Sequence, residues 1–136
     1  MVTITVNYEG NLRCKATHGP SGTTLITDAP TDNHGKGESF SPTDLVATAL
    51  PACVLTIMGI AAQKHGLNLE GMSAVTTKEM SATPPRRIAR LVTRVTMPLP
   101  ADHPQRAMLE NAAHTCPVHK SLSAEIDAPI EFSWKA

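Results

Sequence analysis

Ser41–Ala62 reads SPTDLVATALPACVLTIMGIAA, and the interpretation of this stretch decides the fold. Ser41 suits a helix cap, Pro42 the first turn, and Asp44 the capping-box position, so a helix is predicted to start here. It should run to His65, with Gly66 as its terminator. From Leu45 to Ala62 the chain carries no charge, over a length close to a minimal membrane span. Yet alanine is frequent, Thr48, Pro51, Thr56 and Gly59 break the run, and strand-like stretches flank it. A helix apolar on every side also suits the centre of a folded core, and that is the reading adopted. Pro51 removes a backbone donor and crowds the carbonyl of Ala47, which predicts a bend beside Cys53.

Upstream of this helix, Val2–Tyr8 alternates apolar and polar residues as a strand does. Leu12–Thr17 and Thr23–Thr27 read as the next strands, separated by turns at Glu9-Gly10 and Gly19–Gly22. The polar loop DAPTDNHGKGESFS at 28–41 has the length of a lid or binding element. Downstream, Leu69–Ser81 and Arg87–Met97 form a strand pair across Thr83-Pro84-Pro85. The second strand sets Ile88, Arg90, Val92, Arg94 and Thr96 against a more apolar face of Ala89, Leu91, Thr93, Val95 and Met97. A second helix is predicted over His103–His114, with Met108, Leu109 and Ala112 facing inward. A short helix at Pro117–Leu122 and a strand at Glu125–Trp134 complete the chain. Strands grouped before and after a central helix make the fold α+β, and the length suits one domain, 1–136. So small a domain struggles to cover a helix that is apolar all round. A second copy would bury the rest, with Gly59, Ala61 and Ala62 permitting close approach, so a homodimer is expected.

Twelve acidic residues balance twelve basic ones, and aromatics make up only 3% of the chain. This argues against a nucleic-acid groove, which uses basic patches and stacking rings. No basic run favours a membrane surface, and the N-terminus lacks the pattern of a signal peptide. Three cysteines at wide spacing make no disulfide framework, so a reducing cytoplasm is the expected setting.

The thiols carry the chemistry. In HTCPVHKSL (114–122), Cys116 occupies the cap before a helix whose first position is Pro117. Backbone donors there favour negative charge, so Cys116 is expected to ionise more easily than a free thiol. The alternatives are an inert core cysteine or a zinc ligand with His114 and His119. Structural zinc usually draws four protein ligands, and no second ligand cluster appears in the chain. His119 is better placed as a neighbour of the thiol, and His114 as a last-turn histidine. Cys53 lies two positions after Pro51 in apolar surroundings, either filling the core or facing space opened by a bend. Brought together, two such thiols could reduce a peroxide: one forms a sulfenic acid and the other condenses with it to a disulfide.

SPTDLVATALPAC followed far downstream by CPVHKSL resembles the OsmC/Ohr family, the osmotically inducible proteins C and organic hydroperoxide resistance proteins. LITDAP, the glycine-containing loop, PRRIARL and the last strand extend the resemblance over nearly the whole chain. It implies an OsmC-like fold, with antiparallel sheets around a long apolar helix in an intertwined homodimer. It also implies thiol-dependent reduction of organic hydroperoxides, with an external dithiol as reductant and no metal, haem or flavin. Cys53 would be the peroxidatic thiol and Cys116 the resolving one. Arg13 is the best match to an arginine that steadies the thiolate. The glutamate paired with that arginine is missing, because Thr43 and then Asp44 stand in its place. Asp44 remains a candidate for its role, although nine residues before Cys53 puts it across a straight helix. Cys14 matches no motif of the family and is read as structural. Leu50, Leu55 and Met58 around Cys53 could furnish a pocket for an alkyl chain. The alternative is a non-enzymatic OsmC-like protein that binds a small hydrophobic ligand or senses redox state.

Overall fold

Alternating residues near the N-terminus form β1 (Ile4–Gly10) in the computed structural model, which describes residues Met1–Ala136. β1 pairs antiparallel with β2 (Arg13–His18), and β2 with β3 (Thr24–Asp28). The register sets Val6 opposite Ala16, Tyr8 opposite Cys14, and Leu25 opposite Ala16. Ile4, Val6, Tyr8 and Leu25 therefore share one face, and all four are exposed. This three-stranded sheet belongs to a compact unit, Met1–Val46; a second unit spans Ala47–Ala136.

The polar loop after β3 is laced rather than open. Asp28 N–H donates to Phe40 O at 3.0 Å, Gly37 N–H to Ala29 O at 3.1 Å, and Ser39 Oγ to Ile26 O at 2.8 Å. A Cβ on Gly35 would lie 1.8 Å from the Ala29 carbonyl oxygen, so no other residue fits this turn. The loop length suggested a lid; its backbone groups are instead tied into the N-terminal unit.

Helix α1 (Pro42–Gln63) begins at the predicted capping box. Asp44 N–H donates to Ser41 Oγ at 3.1 Å, while Asp44 Oδ2 accepts from Ser41 N–H at 2.9 Å. The helix continues through Pro51 and buries one stripe, Leu50, Val54, Met58 and Ala62, spaced four apart. Ala62 belongs to this core, so it is not free to meet a second copy; Val46 and Ile60 are the large apolar side chains that the helix leaves exposed.

In the second unit, β4 (Ser73–Met80) pairs antiparallel with β5 (Ile88–Pro100). Leu91, Thr93, Val95 and Met97 are buried as the alternation predicted, and Arg90 and Arg94 stay exposed, but Ile88 and Val92 on the other face are buried as well. The buried Thr93 hydroxyl meets that of Thr76 across the pair at 2.9 Å. The last strand corrects the expectation of antiparallel sheets: β6 (Ile130–Lys135) runs parallel to β5. Two helices, α2 (Arg106–Ala113) and α3 (Pro117–Ser121), lie between them and form the crossover that parallel pairing needs. On α2, Leu109 and Ala113 are fully buried, while Met108 and Ala112 are only partly so. Glu110 ties α2 to β6: its Oε1 accepts from Arg106 Nε at 3.1 Å and from Trp134 Nε1 at 2.8 Å. Arg106 also lies 5.3 Å from the Trp134 ring centroid.

Candidate active site

Between α2 and α3 the chain makes a sharp transition at Cys116, which caps α3 with Pro117 in the first turn. Its Sγ accepts the His119 N–H at 3.4 Å, and its side chain is out of contact with solvent. Cys53 lies close enough to Cys116 to influence its ionisation, so the two thiols that lie far apart in sequence are neighbours in the fold. Cys53 projects from α1 next to the fully buried Val54, is half-buried, and packs against the same apolar core as Cys116.

The local capping argument gave the wrong direction for Cys116. Burial pushes its ionisation above the ordinary thiol value, and the hydrogen bond to Cys53 pushes it the same way. The backbone N–H groups of His119 and Val118 pull it down, but by less. The cap is present as predicted; the removal of water from the sulfur outweighs it. Burial thus favours the protonated thiol at Cys116.

The two histidines of the motif have other partners. His119 Nε2 meets Ala128 O at 3.0 Å, and His114 packs edge-on against Phe132 with ring centroids 6.3 Å apart. No group of three or more His, Cys, Asp or Glu side chains converges as a metal site. The apolar residues expected to wall a pocket also divide: Leu50 and Met58 are fully buried core, and only Leu55 is half-buried. An open groove of about 490 Å³ lies instead beside α3, its lining including His119, Leu122, Glu125, Ile126, Asp127 and Ala128.

The two support candidates lie in the N-terminal unit. Asp44 is engaged in the cap of α1. Arg13 Nη1 is 3.8 Å from Asp28 Oδ2 and 3.5 Å from Glu38 Oε2. Neither carboxylate was singled out from the sequence. Asp28 is almost fully buried, takes the Glu38 N–H on Oδ2 at 3.0 Å, and leaves Oδ1 without a partner. Its position inside LITDAP was the available signal, but its burial depends on the laced loop that covers it.

A sequence model of the family described as OsmC-like protein matches residues 35–131. The chain is 43% identical to a Psychrobacter arcticus 273-4 protein that carries a provisional assignment in osmotic stress induction and detoxification response. That crystal structure superposes with a TM-score of 0.91, covering 98% of this chain and 96% of the other. An organic hydroperoxide resistance protein OsmC from Legionella pneumophila is 17% identical, with a TM-score of 0.78 over 98% and 96% of the two chains. The organic hydroperoxide resistance protein OhrB of Bacillus subtilis is also 17% identical, with a TM-score of 0.71 over 98% of each. At such identities the last two likenesses concern the fold. No curated protein matches the chain.

Proposed function

The chain belongs to the OsmC-like protein family, and from that premise we propose that it is a thiol-dependent peroxidase acting on organic hydroperoxides. The observation that carries this reading is the proximity of Cys53 and Cys116 against one apolar core. Cys53, half-buried, attacks the peroxide as a thiolate and becomes a sulfenic acid. Cys116, already in contact, condenses with it to a disulfide, and an external dithiol restores both thiols. Arg13 is carried over from the resemblance as the cation that supports the reacting sulfur; Asp44 is assigned to the cap of α1. The acting form is a homodimer in a reducing cytoplasm, and the exposed apolar face of β1–β3 is the surface that a second copy would cover.

The reduced protein should consume cumene hydroperoxide, and Cys53→Ser should abolish the consumption. Mass spectrometry of the treated wild type should find a bond between Cys53 and Cys116. The replacement of the expected glutamate by Thr43 favours the alternative, a non-enzymatic binder of small hydrophobic molecules. Equal, slow consumption by wild type and Cys53→Ser would decide for that alternative.

A further inference from the structure

We propose that His119 is the positioning residue of the second thiol, its ring anchoring α3 so that Cys116 keeps its place near Cys53. This rests on the peroxidase reading and names the residue on which its disulfide step depends. Helix α3 has five residues and is too short to hold itself in place. Within it, Lys120 N–H donates to Cys116 O at 3.1 Å and Ser121 Oγ to Pro117 O at 2.8 Å. These two bonds close the turn without attaching it to the rest of the fold. His119 supplies an attachment. Its backbone N–H donates to Cys116 Sγ at 3.4 Å, and its ring Nε2 lies 3.0 Å from Ala128 O. A carbonyl oxygen only accepts, so Nε2 carries the hydrogen.

The far end of this link is a fixed point. Asp127 N–H donates to Ala89 O at 3.0 Å, Leu91 N–H to Asp127 O at 2.8 Å, and Thr93 N–H to Pro129 O at 3.1 Å. Arg90 Nε adds a bond to Asp127 Oδ2 at 2.8 Å. Residues 127 and 129 are thus stitched to β5, and the carbonyl between them is the one that His119 takes. A path of hydrogen bonds runs from β5 through this strap and the imidazole to the Cys116 sulfur. Cys53 and Cys116 both pack against the core to which Leu91 and Val95 of that strand belong. A disulfide forms only within a narrow range of sulfur separation and torsion. A helix that is already anchored loses little further freedom when the bond closes, so each thiol sees the other at a high effective concentration.

The test reads that concentration directly. In glutathione redox buffers, one oxidised glutathione takes two electrons and two protons from Cys53 and Cys116, leaving their disulfide and two reduced glutathiones. The equilibrium constant measures the effective concentration of the pair, and mass spectrometry after alkylation gives the bonded fraction. His119→Phe, which keeps a ring but offers no hydrogen, should lower the constant roughly 5–10-fold, about the worth of one hydrogen bond. His119→Ala, which adds no bulk, should fall with it. His119→Gln, whose amide can donate to Ala128 O, should recover most of the loss. Thr76→Val removes a hydroxyl contact within the β4–β5 pair and should leave the constant unchanged. An unchanged constant in His119→Ala, an equal fall in Thr76→Val, or no recovery in His119→Gln overturns the positioning role. Failure of the wild type to form the bond in these buffers overturns both that role and the proposed mechanism. A wild type that forms the bond yet leaves cumene hydroperoxide untouched overturns the peroxidase reading alone.

Discussion

The two units of the molecule bury different things. Between Met1 and Val46 the buried side chains are Thr27, Asp28 and Ser41, all polar; between Ala47 and Ala136 they are apolar apart from Thr93. The apolar residues of the first unit lie outside, with Ile4, Val6, Tyr8, Leu12, Leu25 and Phe40 all exposed. The first unit is thus organised by hydrogen bonds, and its greasy side faces away from its own interior. The second is organised by burial: Leu50, Val54, Met58, Leu91, Val95 and Leu109 exclude water completely. Chemistry that needs a dry sulfur belongs in the second unit, and Cys53 and Cys116, the two thiols of the proposed reaction, lie there. A surface that needs covering belongs in the first.

The sharpest way to break this contrast is to open the dry core. Leu91→Ala should lower the free energy of unfolding by about 2–5 kcal/mol, measured by urea titration. A loss below about 1 kcal/mol would mean that the core yields as readily as a surface. For the hydrogen-bonded unit, Ser41→Ala removes one acceptor from the start of α1 and should cost about 1 kcal/mol in the same titration. On the exposed sheet face, Val6→Lys should shift the stability of the dissociated chain by less than about 0.5 kcal/mol. It should nevertheless move the sedimentation profile from dimer towards monomer. An unchanged profile would leave the apolar face of β1–β3 without its proposed covering.

The smallest effect lies in alkali and follows from the burial of Cys116. A thiol whose folded value is raised stabilises the fold fully below its ordinary value of 9.0. That contribution fades as pH rises from there through the higher folded value, because the unfolded chain releases the proton first. Stability should therefore fall at alkaline pH more steeply in the wild type than in Cys116→Ala. Parallel curves would show that burial is not what holds the proton.

What could be read from the sequence is what depends on neighbours along the chain. The Ser41–Asp44 capping box and the strand at β5 are local patterns and formed as predicted, whereas the single buried stripe of Leu50, Val54, Met58 and Ala62 was not read from a helix that looked apolar all round. The parallel pairing of β6 was not legible, because direction is set by how α2 and α3 carry the chain back. At the site, a motif resemblance paired Cys53 with Cys116, but the state of the second thiol was misread. Pro117 and the cap can be seen in five residues; the apolar shell that dominates comes from α1, α2 and β5. Likewise Arg13 was named from the resemblance alone, whereas its ion-pair partners Asp28 and Glu38 depend on the lacing of the loop at 28–41.

The knot that joins α2 to β6 has an optical consequence. Trp134 is the one tryptophan in the chain, and its indole is held by Glu110 and overlain by Arg106. Indole emission, excited where Tyr8 does not absorb, is thus a single-site signal from the seam between the second helix and the final strand. Movement of that helix would be visible as a change in colour or brightness, with no dye attached.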